Sequence, residues 1–239
     1  MITVDFNRLD IKAHYRILDI GCGSGRHTGA AYRFKNVVAI GADINHAELV
    51  EAKDRLKIHD RLGENGGGMW GLAMADVNAL PFKNNFFDLV ICSEVLEHIA
   101  EDESAVRELI RVLKPEHNLV VSVPRFWPER ICWALSSEYT NSNNGHIRIY
   151  RKKKLIALLE NCGVKRWALH YAHSLHTPYW WLKCLVGPKR EDAALVNLYH
   201  CFLSWDIMKK PKLVSWMDKL LNPILGKSLV AYLRKENGC

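Results

Sequence analysis

Along the first two thirds of the chain, short apolar runs alternate with stretches whose apolar residues recur every three or four positions. That is the pattern of strands followed by amphipathic helices. The predicted strands are 15–20, 37–40, 70–74, 87–92 and 119–123, and strands spaced by helices form a mostly parallel sheet covered on both faces. Asn45 with Glu48 three residues on is a capping-box start for a helix running to about Leu56. Another helix starts in Glu101, Asp102 and Glu103, buries Val106, Leu109, Ile110 and Leu113, and stops at Lys114 and Pro115; acid at its start and base at its end suit the helix dipole. Gly63, Gly66, Gly67 and Gly68 predict a flexible loop before the third strand.

Beyond the fifth strand the pattern predicts a short helix over 128–136, a polar loop over 137–145, a helix over 151–161 closed by Gly163, and a sixth strand over 164–173. A last strand is expected at 228–233. The intervening stretch is helical in pattern, aromatic, and broken by Pro178, Pro188, Pro211 and Pro223. The expectation is one domain over 1–239, with a core of 13–173 plus a last strand 228–234 and a helical cap inserted at about 174–227.

Composition narrows the class. With 239 residues and 49% hydrophobic content the chain can bury one large core. Residues 1–9 lack the charged and apolar regions of a secretion signal, and no apolar run approaches a bilayer span. The expected location is cytoplasmic, at most peripheral to a membrane. Seven scattered cysteines without a Cys-x-x-Cys pair fit reduced thiols. The net charge of +7 is uneven: residues 1–164 carry 21 basic and 21 acidic side chains, residues 165–239 carry 12 and 5. That last third also holds Trp167, Trp180, Trp181, Trp205 and Trp216. Two readings stand side by side, a solvated basic face or a surface for an acidic, phospholipid or nucleic-acid partner.

The chemistry-bearing motif is Ile17-Leu18-Asp19-Ile20-Gly21-Cys22-Gly23-Ser24-Gly25, an apolar strand delivered into a glycine turn. Glycines permit positive φ and close approach of a ligand to the backbone. Arg26 stands where the dinucleotide fingerprint needs its last glycine, which disfavours NAD. Asp43 ends the second strand about 20 residues on, where a carboxylate can accept hydrogen bonds from both ribose hydroxyls.

Gly-x-Gly-x-Gly after an acidic strand residue is similar to motif I of class I, Rossmann-like methyltransferases that use S-adenosylmethionine (SAM), and the resemblance continues through residues 13–164. Asp76-Val77, Pro81-Phe82, Phe86-Phe87-Asp88-Leu89-Val90 and Leu109 to Pro115 carry it, in the manner of the methyltransferase type 11 group. Glu116-His117 departs from the family's usual glycine pair. The resemblance implies a three-layer α/β fold with a seven-stranded, mostly parallel sheet in the order 3-2-1-4-5-7-6, the last strand antiparallel. It also implies SAM as cofactor, held by Asp19, Gly21, Cys22, Gly23, Gly25, Asp43, Ile44, Asp76, Val77 and Ser93.

Methyl transfer from a sulfonium is an in-line displacement with a good leaving group, so the protein mainly orients the acceptor and excludes water. A hydroxyl acceptor also needs a base. Glu94, Glu97 and His98 stand at i, i+3 and i+4, on one side of a helical turn. They resemble the Glu-x-x-Glu-His element of metal-dependent ubiquinone-pathway and small-RNA O-methyltransferases, in which another histidine follows strand five; His146 occupies a comparable place here. Three readings remain open: a divalent metal (Mg, Mn or Zn) held by Glu94, Glu97, His98 and His146; catalysis by His98, with Glu94 and His146, without metal; or positioning roles alone. His170, His173 and His176 could meet only on a helix, and Tyr179, Trp180 and Trp181 either line an acceptor pocket or pack the cap. Leu195, Leu198, Tyr199, Phe202, Trp205 and Ile207, followed by Lys209, Lys210 and Lys212, make either an amphipathic cap helix or a membrane-facing one. The expected function is O-methylation of a small hydrophobic or isoprenoid-like acceptor. An RNA methyltransferase and a non-catalytic SAM-binding module are the alternatives.

Overall fold

The computed structural model describes residues 1–140, 146–190 and 192–237. Its elements in chain order are β1 (Arg16–Ile20), α1 (Arg26–Tyr32), β2 (Val38–Asp43), α2 (His46–Arg61), β3 (Met69–Met74), β4 (Phe87–Ser93), α3 (Asp102–Val112), β5 (Leu113–Pro124), α4 (Phe126–Leu135), α5 (Ser137–Thr140), α6 (Lys152–Asn161), β6 (Val164–Ala172), α7 (His176–Val186), α8 (Ala194–Lys209), α9 (Lys212–Leu225) and β7 (Ser228–Lys235). The strands form one sheet in the order β3-β2-β1-β4-β5-β7-β6. β1 to β5 pair in parallel, and β7 runs antiparallel between β5 and β6. The expected sheet order and its antiparallel last strand are both observed.

Central strands buried on both faces read as continuous apolar runs. Along β1, β4 and β5, Leu18, Val90 and Val121 join the core on one face, and Ile17, Ile91 and Val120 join the core on the other. This alternation is the two-residue period of a strand. Among the described residues no helix is long and apolar enough to cross a membrane.

Several local expectations are corrected. The Asn45 side chain caps α2 by accepting from Ala47 N, but the Asn45 N–H donates to Asp43 Oδ1, so Asp43 takes the place a capping box gives to Glu48. Within the glycine stretch Gly63 is open, but two glycines are packed tightly: a Cβ on Gly66 would lie 1.9 Å from the Phe34 carbonyl oxygen, and one on Gly68 1.9 Å from that of Val37. Residues 137–140 form a helical turn where a polar loop is predicted, and 141–145 lie outside the described residues. On α8 the buried positions are Val196 and Leu203, so Leu195, Leu198, Trp205 and Ile207 face outward. α8 is apolar nearly all round, and periodicity cannot choose a face for such a helix.

Candidate active site

The chain leaves β1 through three left-handed glycines, Gly21, Gly23 and Gly25, at φ +63°, +47° and +74°. A Cβ at Gly21 would fall 2.2 Å from Cγ2 of Val95, and one at Gly25 would fall 3.0 Å from Cβ of Ala52 on α2. Gly21 therefore seats the turn directly against the segment that follows β4. Asp19 fixes the other end: its Oδ2 accepts from the Thr28 N–H at 2.9 Å and the Thr28 hydroxyl at 2.7 Å, holding α1 against the strand. Its Oδ1 is buried and has no partner among the described residues. Burial pushes the Asp19 carboxyl up to about 7. The Cys22 N–H bonds to the Ala42 carbonyl, and burial raises its thiol.

Asp43, at the end of β2, accepts the Gly23 N–H on Oδ2 at 2.8 Å and the Asn45 N–H on Oδ1 at 2.9 Å. Each carboxylate oxygen retains accepting capacity. Ile44 is 70% exposed, and Met74, paired in register with Asp43, is 67% exposed. Asp76 is exposed and closes a turn on Asn78, whereas the Val77 side chain packs into the core. Met74 went unnoticed in the sequence because it reads as an ordinary strand residue. Left-handed glycines, an orphaned buried carboxylate oxygen, and apolar side chains in water beside two acids suit a nucleoside with a charged tail, which is what SAM is.

On the far side of Val95 the Glu94 backbone is itself left-handed at φ +57°, which is uncommon outside glycine. Only Leu96–His98 form a short 3-10 turn, so Glu94, Glu97 and His98 do not share the helical face predicted for them. The Ser122 hydroxyl, at 2.8 Å from that of Ser93, donates to Glu94 Oε1 at 2.9 Å. Burial raises the Glu94 carboxyl, and the Lys227 charge draws it back in part.

Glu97 is 1% exposed, and neither of its carboxylate oxygens has a hydrogen-bond partner among the described residues. Burial, then the Glu94 charge, holds it well above the usual carboxylate range. One donor atom each from Glu97, His98 and His146 lies within 4.8 Å of the others. Glu94 stands outside that group, so three of the four predicted ligands come together. The missed residue is Glu129 on α4, 2% exposed, whose Oε1 bonds His146 Nδ1 at 2.6 Å. Burial pushes Glu129 up, but the bond and charge of His146 outweigh it and hold the carboxyl low. Its one signal in the sequence is an acid among the apolar residues of Phe126–Leu135.

Tyr139 links this group to Trp180, its ring centre 6.3 Å from that of His146 and 5.8 Å from that of Trp180, and the Lys227 ammonium lies 4.9 Å from the Trp180 ring centre. Tyr179 packs with Val196 and Leu203, and Trp181 donates to the Pro128 carbonyl. His170 stacks on Tyr232, whereas His173 and His176 lie against each other.

Residues 18–121 match the family model described as a methyltransferase domain. The chain is 28% identical over 120 residues to the methyltransferase GfsG of Streptomyces halstedii, across 49% of this chain and 40% of that protein. It is 34% identical over 116 residues to the ubiquinone/menaquinone biosynthesis C-methyltransferase UbiE of Pseudomonas putida, across 46% and 42%. The chain thus spans less than half the length of the curated relatives it matches. Its fold is similar to a SAM-dependent methyltransferase of Methanosarcina mazei, with TM-score 0.62 and 16% identity over 99% of both chains. It is also similar to the [4+2]-cyclase SpnF, with TM-score 0.62 and 17% identity over 98% of this chain and 78% of that one. A fold shared with a cyclase does not fix a reaction.

Proposed function

We propose that this chain, whose residues 18–121 match the family model of a methyltransferase domain, moves a methyl group from SAM to a small hydrophobic acceptor. The observation that carries the reading is the close approach of Gly21 to Val95, which sets the glycine turn against the segment that carries Glu94, Glu97 and His98. SAM would be held by Asp19, Gly21 to Gly25, Asp43, Ile44, Asp76 and Ser93, with Met74 beside the base in place of the core-packed Val77. When bound it supplies an electrophilic methyl on a sulfonium that needs no further activation.

The chain's own part is orientation, exclusion of water and removal of a proton. His146 suits the last task. With its Nδ1–H donating to Glu129, Nε2 presents a lone pair toward the space it shares with His98 and Glu97. The preferred acceptor atom is oxygen, and His146 serves an acidic carbon equally well. The helices between β6 and β7 form the cap, with Trp180 against the acceptor. Apolar surface on α8 and α9 favours a hydrophobic acceptor over an RNA phosphate track. Burial of Glu97 without a hydrogen-bond partner costs stability, which favours a working site over a passive binding module.

The test is calorimetric titration of the purified protein with SAM. Wild-type protein binds saturably, and Asp43→Ala, checked for folding by circular dichroism, binds about tenfold more weakly. Well-folded wild-type protein that takes up no SAM overturns the reading.

A second reading adds a divalent cation, favoured by the Glu97 carboxyl, which lacks a hydrogen-bond partner, and by Glu129, which orients His146 as carboxylates orient metal-bound histidines. Glu97, His98 and His146 would hold the ion, which would acidify a bound acceptor hydroxyl. Titration of SAM-free protein with Mn2+, followed by electron paramagnetic resonance, is expected to show one site lost in Glu97→Gln and His146→Ala and kept in Glu94→Gln. Equal loss in all three, or no site in the wild type, removes the metal.

A further inference from the structure

α9 is docked the wrong way round for a soluble helix. Its acid and amide face the protein: Asp218 accepts from the Ser174 hydroxyl at 2.7 Å and the Leu175 N–H at 3.2 Å, and Asn222 Oδ1 accepts the Ser174 N–H at 2.9 Å. The Arg125 guanidinium donates to the carbonyl oxygens of Asn222, Pro223 and Ile224, closing the C-terminal end. Five of its apolar residues face water, while Val214, Leu221 and Leu225 are half-buried. Leu213, Trp216, Met217, Leu220 and Ile224 are 68%, 61%, 41%, 60% and 65% exposed, and their spacing places them in one row. No residue of the helix is buried.

We propose that this row, with its flanking lysines, docks on an anionic lipid bilayer. Lys212 and Lys219 are exposed with the row, and exposed Lys209 and Lys210 precede it. The two acids between 194 and 225, Asp206 and Asp218, are both half-buried. The outward surface is therefore apolar and basic without exposed acid, the composition of a helix that lies in the headgroup layer, with tryptophan at the boundary. A second copy of the chain fits this face poorly. It would set lysines against lysines with no exposed acid of the row to meet them. With 14 residues α9 is too short to cross a bilayer and suits lying flat. The helix ends at Gly226, beside Lys227, whose ammonium lies 4.9 Å from the Trp180 ring centre, so docking would bring the bilayer near the side chain proposed to lie against the acceptor. That last step rests on the acceptor proposed above; the docking itself does not.

The experiment is flotation of the full chain, without SAM, on vesicles of phosphatidylcholine alone and with about 30% phosphatidylglycerol, at low and raised salt. The wild type is expected to partition at least about tenfold more strongly onto the anionic vesicles and to lose that preference in salt. Trp216→Ser with Leu220→Ser, and Lys209→Glu with Lys210→Glu and Lys212→Glu, each lower partition about tenfold or more with unchanged melting. Because the altered side chains are exposed, folding survives. Absent partition of the wild type, or partition that neither variant changes, overturns the proposal. So does a dimer in light scattering that the Trp216 and Leu220 variant splits while vesicles stay unbound. SAM titration of the same sample tests the methyl-transfer reading separately, since vesicle binding without SAM binding sinks that reading alone.

Discussion

Gly21 joins the two halves of the candidate site at the scale of a single residue. Its φ of +63° already disfavours any side chain, and a Cβ there would overlap Val95 Cγ2 at 2.2 Å. Alanine in a left-handed position costs about 1 kcal/mol. The overlap adds a packing cost of about 1–3 kcal/mol. Gly21→Ala is therefore expected to lower unfolding free energy by about 2–4 kcal/mol in urea titration. In a Val95→Ala background the same substitution costs only the backbone part, about 1 kcal/mol. Equal costs in both backgrounds would show that Gly21 is needed for its backbone alone. The glycines and the strand-end acids were legible because a positive-φ turn after an apolar strand leaves few residue choices. Glu94 was legible as a candidate, but its left-handed backbone was not, because it is enforced by surroundings that no local pattern encodes.

Legibility at the scale of elements followed how far a local pattern determines its own environment. β4, apolar and closed by Ser93, was read almost to its ends, and so was β1. β5 begins at Leu113, six positions before the predicted Leu119, because Lys114 and Pro115 end α3 by leading straight into a strand. α8 and α9 show the opposite limit. A helix apolar on all sides carries no preferred face, and α9 carries a clear one that points outward. The usual inference from amphipathicity to burial assumes water on the polar side, and Asp218 and Asn222 reverse it by bonding to Ser174. Glu129 belongs to the same class of miss. Its role depends on α4 meeting His146, a residue 17 positions away, and nothing local to α4 announces that partner.

Buried ionisable groups across the whole molecule set two opposing pH dependences. His27, His173 and His176 are held down by burial to about 4, 3 and 4. Thr3 ties two of them together, its N–H donating to His27 Nε2 and its hydroxyl bonded to His173 Nε2. Below about 6.5 the unfolded chain protonates these histidines while the folded chain does not, so their contribution is lost as pH falls from about 6.5 toward 4. Asp19 works the other way. Raised from 3.8 to about 7, it is protonated when folded and ionised when unfolded across that interval, so its contribution is lost as pH rises toward about 7. The two effects oppose each other in the wild type, and Asp19→Asn removes one of them. Relative to wild type, the variant's stability is expected to climb with pH between about 4 and 7 by up to one proton's worth, about 1.4 kcal/mol per pH unit. Other buried carboxyls, Glu94 and Glu97 included, contribute to both proteins and cancel in the difference. Urea midpoints at pH 4.5, 5.5, 6.5 and 7.5 read it directly. Parallel profiles for the two proteins would mean that Asp19 stays ionised within the fold, with Oδ1 stabilised by a donor the protein itself supplies, and the site would then have less need of a ligand to satisfy it.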